Sequence, residues 1–362
     1  MREENPPGSP ETPPPPETGG GGEREAPEAP PSSSLRFGGG TGEAGEGGIP
    51  DISVAVVSYN TQGLLRACLR SLLDRQAEGE ADLEITVADN GSRDGSVDMV
   101  RAEFPSVRLV ETGGNVGFGR ANNAALAQAR GRHVCLVNSD AEILPGALSA
   151  GLAYLDAHPD VGLAGGQLLW PDGRLQTSWG NDPTLGGVFR EQTFLGVLPG
   201  RLRRAAPGPP ASGPRDVDQV CGAFMLIRRA AWRQVGGFDP HYFMYNEDVD
   251  LNVRLRRAGW RVVFLPQARV THHLGASSSA DWQKRARMVS AYNESRFYYF
   301  GRFGGPGAAA KLKAYCLLGA AIRLTAWTLL SLVRPGARDK VKLFREVRRR
   351  TRAMTLTLDR DS

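Results

Sequence analysis

From residue 51 onward the chain repeats one pattern: a short, almost wholly apolar run, a polar turn, then an amphipathic stretch. "ISVAVVSYN", "LEITVADNGS", "VRLVETGGNVGFG" and "HVCLVNSD" are four such runs in order. Runs this short, bounded by turn residues, read as buried strands. The segment after the first places Leu64, Leu65, Cys68, Leu69, Leu72 and Leu73 at helical spacing. Strand and helix alternating in this way predict an α/β protein with a doubly wound, mainly parallel sheet, whose ligands bind beyond the carboxyl ends of the strands.

The unusual polar residues collect at those ends. Ser58, Tyr59 and Asn60 close the first run, Asp89 and Asn90 the second, Asn115 and Gly117 follow the third, and Asn138 and Asp140 close the fourth. Helix capping and uncommon backbone angles explain any one such turn. Four in succession on one rim favour a shared site. Farther on, "VGLAGGQLLW" and "QVCGAFMLIRR" read as strands, "WRVVFLPQARVTHH" as a last strand pair, and residues 185–215, rich in Gly, Pro and Arg, as a flexible insertion.

The chain of 362 residues is 41% hydrophobic, enough for one large α/β core or two smaller ones. Residues 1–50 hold almost nothing apolar and are expected to be a disordered arm. Cys68, Cys135, Cys221 and Cys316 stand far apart in apolar stretches with no CxxC pair, as expected of reduced packing thiols in the cytosol. The net charge of +5 is unevenly spread: residues 334–352 are heavily basic and follow an apolar stretch interrupted by Lys311, Lys313 and Arg323. Arg323, near the middle, argues against a spanning helix. Two accounts fit residues 306–362: an in-plane amphipathic helix beside a basic tail on the inner face of a membrane, or a helix packed on the domain. Phe344 is the single aromatic of the tail, which carries no known binding motif, so nucleic acid is not expected as a partner.

"YNEDVDLNVRLRRAGW", residues 245–260, crowds Glu247, Asp248 and Asp250 into one first helical turn. Carboxylates there are stabilised by the helix dipole and the unpaired N–H groups. On a helix starting near Glu247 the inward stripe is Leu251, Leu255 and Ala258. Asp248 lies beside that stripe, whereas Asp250 falls opposite, four residues before Arg254, as in an exposed ion pair. A dinucleotide-binding dehydrogenase would need its glycine fingerprint directly after the first strand, where "SYNTQG" stands instead.

Seven segments, "VVSYN", "VADNGSRDGS", "GGNVGFGRANNAAL", "LVNSDAEI", "CGAFMLIRRAAW", "GGFDPHYFMYNEDVDLNVRLRRAGW" and "THHLGAS", resemble in order and spacing the motifs of family 2 glycosyltransferases, most closely the rhamnosyltransferase-like branch. The resemblance covers about residues 52–300 and implies a GT-A fold over 51–305, with a nucleotide-binding half (51–143) and an acceptor-binding half (144–305). It implies inverting transfer of a sugar from a nucleotide diphosphate donor, dTDP-L-rhamnose before UDP-galactofuranose, UDP-hexose or GDP-mannose, to a lipid-linked or polysaccharide acceptor of the cell envelope. Ser58, Asn60, Asp89, Asn90, Asn115, Gly117, Asn123 and Asn138 would then surround the nucleotide sugar, and Arg120 would either meet phosphate or stay an exposed helix arginine. Asp140, with His272 of "THHLGAS", would hold Mg²⁺ or Mn²⁺ through the donor's phosphates. Where many members carry two or three aspartates, this chain has the single Asp140. Asp248 would be the general base and Glu247 would orient it. A non-catalytic nucleotide-sugar binding or scaffold protein would keep Asp89 and Asn90 but would need neither Asp248 nor His272.

Overall fold

The computed structural model describes residues 36–37, 48–193, 213–273 and 281–357. The arm expected over residues 1–50 lies outside this set apart from Arg36–Phe37 and 48–50. Alternation along the first strands decides which face each residue covers. In β2 (Ile52–Ser58), Val54 and Val56 join one core while Ala55 and Val57 join the other. Under the first core lie α1 (Gln62–Ala77), through Leu65, Leu69 and Leu72, and, after β3 (Leu83–Asp89), α2 (Ser96–Glu103), through Met99 and Val100. Beyond β4 (Arg108–Glu111), α3 (Phe118–Leu126) covers the opposite face, where Ala55, Ala88, Ala121 and Ala125 let helix and sheet approach closely.

β5 (His133–Asn138) pairs in parallel with β2, and β2 with β3, so the crossover direction reverses at β2. That reversal opens a crevice at the carboxyl ends of β2 and β5, the place where doubly wound sheets bind ligands. After β6 (Ala141–Ile143) and α4 (Ala147–Ala157), β7 (Val161–Leu169) continues the sheet. The short β8 (Trp179–Gly180), α5 (Leu185–Gln192), β9 (Arg215–Asp216) and β10 (Gln219–Val220) lead to β11 (Phe224–Arg228) and α6 (Arg229–Val235). α7 (Glu247–Arg257) and β12 (Arg261–His272) complete the second half. The sheet order is β1 (Arg36–Phe37)-β4-β3-β2-β5-β11-β7-β12-β6, with β9 also on β12. β11 lies antiparallel between β5 and β7, bringing the turn before Phe224 to the carboxyl end of β5.

Two expectations need correction here. Residues 185–192 of the expected insertion are a helix whose N-cap, Thr184, accepts the Gly187 N–H, and Arg215–Asp216 pair with β12; residues 194–212 lie outside the described set. The expected last strand pair is one long strand, β12, that pairs with β7 on both sides of an irregularity between Leu265 and Arg269. Pro266, lacking an N–H, stands at that irregularity and gives the sequence the look of a break.

α8 (Trp282–Ser331) is interrupted at Gly305 (φ 77°, ψ 175°), and Pro306, with its fixed φ and no donor, starts the second segment. A turn at Pro335–Ala337 returns the chain as α9 (Arg338–Ala353), whose Leu343 and Val347 pack with Ala286 and Ala320 of α8.

Candidate functional site

At the carboxyl ends of β2 and β3 the polar side chains tie the rim together. Asn60, in the left-handed region (φ 55°), accepts the Arg93 N–H through Oδ1 at 2.7 Å, while its own N–H donates to Ser92 Oγ at 2.9 Å. Ser58 is fully buried against Thr61 Oγ1 (3.2 Å), and Thr61 donates to Ser139 Oγ at 2.9 Å, bridging the crevice between β2 and β5. Asp89 spends Oδ2 on the N–H groups of Gly91 and Ser92, whereas its buried Oδ1 has no hydrogen-bond partner. An unpaired buried carboxylate oxygen beside the crevice is an acceptor waiting for a donor such as a ribose hydroxyl or a base N–H.

The glycine-rich loop between β4 and α3 hangs on Asn90. Its Oδ1 accepts Val116 N–H (2.9 Å) and Thr112 Oγ1 (3.2 Å), and its Nδ2 donates to Asn115 Oδ1 (3.1 Å). Asn90 therefore shapes the loop, and the exposed Asn115 is braced by it. Gly117 (φ 93°) meets the segment before α7 so closely that a Cβ would stand 2.3 Å from Phe243 O. Asn123 departs from expectation, and Arg120 follows the second of its two readings, an exposed helix arginine. Asn123 donates to Phe238 O at 2.8 Å and accepts Phe238 N–H at 2.9 Å, so its amide is taken up in securing a neighbouring loop beside Trp232 and Gly237. Arg120 donates from Nε to Pro240 O at 2.8 Å and fastens the same loop.

Across the crevice, Asp140 follows β5 and His272 ends β12. His272 Nε2 lies 3.3 Å from Asp140 Oδ1 and 3.4 Å from Asn138 Nδ2, and its Nδ1 lies 3.1 Å from Gln176 Oε1. Strand alternation sends the next residue elsewhere: His273 Nε2 pairs with Glu142 at 2.6 Å. Asn138 Oδ1 is buried without a partner, a second orphaned acceptor beside the Asp140 and His272 pair. Among the described residues no group of three His, Cys, Asp or Glu side chains could enclose an ion, so a cation here needs oxygens from elsewhere.

Asp248 reaches the same place from α7. Its Oδ2 accepts Gly222 N–H at 3.1 Å and its Oδ1 accepts Val249 N–H at 2.9 Å, so it is pinned to the Cys221–Ala223 turn. The other side of that turn holds β5, where Ala223 O accepts Asn138 N–H at 3.1 Å. The Cys221 thiol, pushed up to about 11 by burial, also feels the charges of both Asp248 and Asp140. Asp248 thus holds one side of this short turn, and Asn138, neighbour of the Asp140 and His272 pair, holds the other. Burial raises the Asp248 carboxyl, and the N–H groups of Val249 and Gly222 oppose that rise. Glu247, 6% exposed with Oε2 unpaired, is pushed up to about 8 by burial and then by the Asp248 charge.

Asp250 is the further correction. It is fully buried, paired with Arg254 at 2.5 Å and with Arg302 of α8 at 3.3 Å, because α8 covers the face that spacing alone left to solvent. Two residues outside the expected set touch expected ones: Gly222 donates to Asp248, and Gln176 meets both the ring and the carbonyl of His272. Tyr245 and Asn246 both have positive φ (70° and 60°), and such paired strain in non-glycine residues just before a functional helix is an observation sequence spacing does not provide. Tyr245 packs edge-on to Tyr292 of α8 at 5.7 Å.

Comparison with known proteins identifies the family. Residues 50–291 match the model described as glycosyltransferase like family 2. The chain is 33% identical over 269 residues, 68% of this chain and 83% of its relative, to the N-acetylglucosaminyl-diphospho-decaprenol L-rhamnosyltransferase of Mycobacterium tuberculosis. It is 37% identical over 86 residues, 24% of this chain and 31% of its relative, to rhamnosyltransferase WbbL of Escherichia coli. Among solved structures, the mannosyltransferase of Pyrobaculum calidifontis in complex with GDP-Man and Mn²⁺ aligns with a TM-score of 0.45 at 18% identity, over 84% of this chain and 86% of that one. The chain belongs to glycosyltransferase family 2, with the GT-A fold, and is a hexosyl-transferring enzyme of the rhamnosyltransferase-like branch.

Proposed function

We propose that the enzyme transfers L-rhamnose, with inversion, from dTDP-L-rhamnose to an N-acetylglucosaminyl-diphospho-lipid in cell-envelope glycan synthesis, at the cytoplasmic face of a membrane. The observation that carries the chemistry is the Asp248 carboxylate held on Gly222 N–H, on the turn whose far side adjoins Asp140 and His272. The choice of sugar and acceptor is supported by the mycobacterial relative and its name.

Asp248 takes the proton of an acceptor hydroxyl as that oxygen attacks the anomeric carbon from the side opposite the diphosphate. Two backbone N–H groups hold the carboxylate in place, and burial makes it a stronger base than an exposed aspartate. Glu247, pushed up by burial and by the Asp248 charge, is the partner that would hold the proton of the pair while Asp248 acts as the ionised base. Tyr245 and Tyr292 offer ring faces beside the base against which an acceptor sugar can lie. Asp89 Oδ1 receives a donor hydroxyl or base N–H. Asp140 and His272 suit a divalent cation, Mg²⁺ or Mn²⁺, with the Asn138 Oδ1 orphan as a further oxygen. Such a cation, when bound, supplies positive charge to the departing diphosphate.

The test is transfer of labelled sugar from a panel of dTDP-rhamnose, UDP-galactofuranose, UDP-hexoses and GDP-mannose to a short-chain N-acetylglucosaminyl-diphospho-lipid. dTDP-rhamnose should be used, and Asp248→Asn should keep donor affinity while losing about 10²–10⁴ in kcat. Turnover of the variant near the wild-type value removes Asp248 from the role, and preference for another donor replaces the rhamnosyl assignment.

A further inference from the structure

We infer that Gln176, far from the family motifs and on no strand or helix, is the positioning residue that makes His272 a metal ligand. The inference rests on the cation reading of Asp140 and His272 given above. After β7 the chain turns through Trp170–Arg174 and comes back, with Gln176 N–H donating to Leu168 O at 2.8 Å. The side chain of Gln176 then points at the end of β12. Its amide nitrogen, Nε2, donates to His272 O at 2.6 Å and to Leu169 O at 3.2 Å. Both neighbours are carbonyl oxygens, which only accept, so the NH₂ end must face them and the oxygen end must face the imidazole. Gln176 Oε1 indeed lies 3.1 Å from His272 Nδ1.

An amide oxygen cannot donate, so Nδ1 carries the hydrogen and a neutral His272 must present a bare lone pair on Nε2. That lone pair looks toward Asp140 Oδ1, 3.3 Å away. A lone pair facing a carboxylate oxygen is repulsive unless something positive lies between them. The nearby Asn138 Nδ2, at 3.4 Å, offers Nε2 only a long contact. Without Gln176 the imidazole would relieve the repulsion by moving its hydrogen to Nε2 and donating it to Asp140, which would consume the nitrogen a cation needs. Gln176 blocks that escape, and by gripping the His272 carbonyl as well as the ring it fixes the residue's backbone and side chain together. Outer partners of this kind change metal affinity by about 10–100-fold. A neutral imidazole beside one carboxylate also fits Mn²⁺ better than Mg²⁺, which favours oxygen ligands and keeps its water.

The experiment uses the full chain with Mn²⁺ and dTDP, following free Mn²⁺ by electron paramagnetic resonance, together with long-range ¹H–¹⁵N spectra that tell which ring nitrogen of His272 carries the hydrogen. Wild type should show hydrogen on Nδ1 and bind Mn²⁺. Gln176→Leu should shift the hydrogen to Nε2 and bind Mn²⁺ about 10–100-fold more weakly, while metal-free dTDP binding and the melting temperature in chelator mark whether the fold is kept. A wild-type chain that binds no Mn²⁺ overturns the metal site and this inference together. Wild type that binds, with a folded Gln176→Leu variant binding equally well or with hydrogen on Nε2 in wild type, overturns Gln176 alone.

Discussion

Three carboxylates in one helical turn meet three different fates. Asp248 is anchored by backbone N–H groups, Glu247 is buried with an unpaired oxygen, and Asp250 is neutralised by arginines. Spacing from Leu251 and Leu255 was enough to place Asp248 beside the core, because that inference needs only the helix itself. It misplaced Asp250, because Arg302 and Tyr242, which meet it, come from segments that helical periodicity does not see. Gln176 was invisible for the same reason: a glutamine in a turn has no pattern, and its meaning is set by His272, 96 positions away. Glu247 gives a test with a definite sign. Its folded-state pKa lies above the ordinary 4.5, so this carboxyl lowers stability progressively as pH rises from 4.5 toward about 8, and has no such effect below that window. Glu247→Gln, which copies the protonated shape, should melt with the wild type near pH 4.5 and several degrees above it at pH 8 and higher, as read by calorimetry. An unchanged difference across that range would mean that Glu247 does not hold the pair's proton. The acid limb of kcat should likewise lie above the ordinary aspartate value of 3.8, since burial raises Asp248.

At the scale of elements, α3 does two tasks that the sequence presents as one. The glycine-rich loop leads into it; Asn123 was expected among the ligand contacts and Arg120 either on phosphate or as an exposed helix arginine, and both grip the segment that delivers α7, at Phe238 and Pro240. Phe118 N–H adds a third hold, on Phe243 O at 3.0 Å. The first strands and the polar rim at the ends of β2, β3 and β5 were legible because apolar runs and polar ends are local properties. The partner of α3 was not, because a polar side chain directed at a backbone carbonyl and one directed at a ligand look alike in sequence. The coupling has a consequence for Gly117. An alanine there would drive its Cβ into Phe243 O and would have to hold a φ of 93°, so the loop and the segment before α7 must separate. Gly117→Ala should therefore raise the donor KM and lower kcat together, by about tenfold or more in kcat/KM. A rise in KM with kcat untouched would show that the glycine-rich loop acts on the donor alone.

For the whole molecule, the C-terminal pair of helices raises the question of what its outer end meets. By length and composition α8 is the one helix among the described residues long and apolar enough to cross a membrane, but it is broken at Gly305. Arg323 Nη1 and Nη2 also donate to Gln192 O and Glu191 O, tying the helix's middle to α5. Beyond that tie the apolar side chains are bare: Leu329 is 63% exposed, Leu332 79% and Val333 76%. Next to them in the chain stand the exposed Arg334 and Arg338, and Lys340 lies over the Trp327 ring. An apolar tip ringed by cations suits an anionic leaflet, with the tip in the acyl boundary and the cations at the headgroups. Replacing Leu329, Leu332 and Val333 together by serine removes about 1.5–3 kcal/mol of apolar burial per side chain at most. The triple variant should thus sediment with anionic vesicles at least about tenfold less than wild type, while keeping transfer to a short-chain, water-soluble acceptor. Wild-type binding should itself weaken with added salt and be poorer on neutral vesicles, because the cations act over about 10 Å at 0.1 M salt. Equal sedimentation of variant and wild type would place membrane contact on another surface and leave the tip as bare apolar residues without that task.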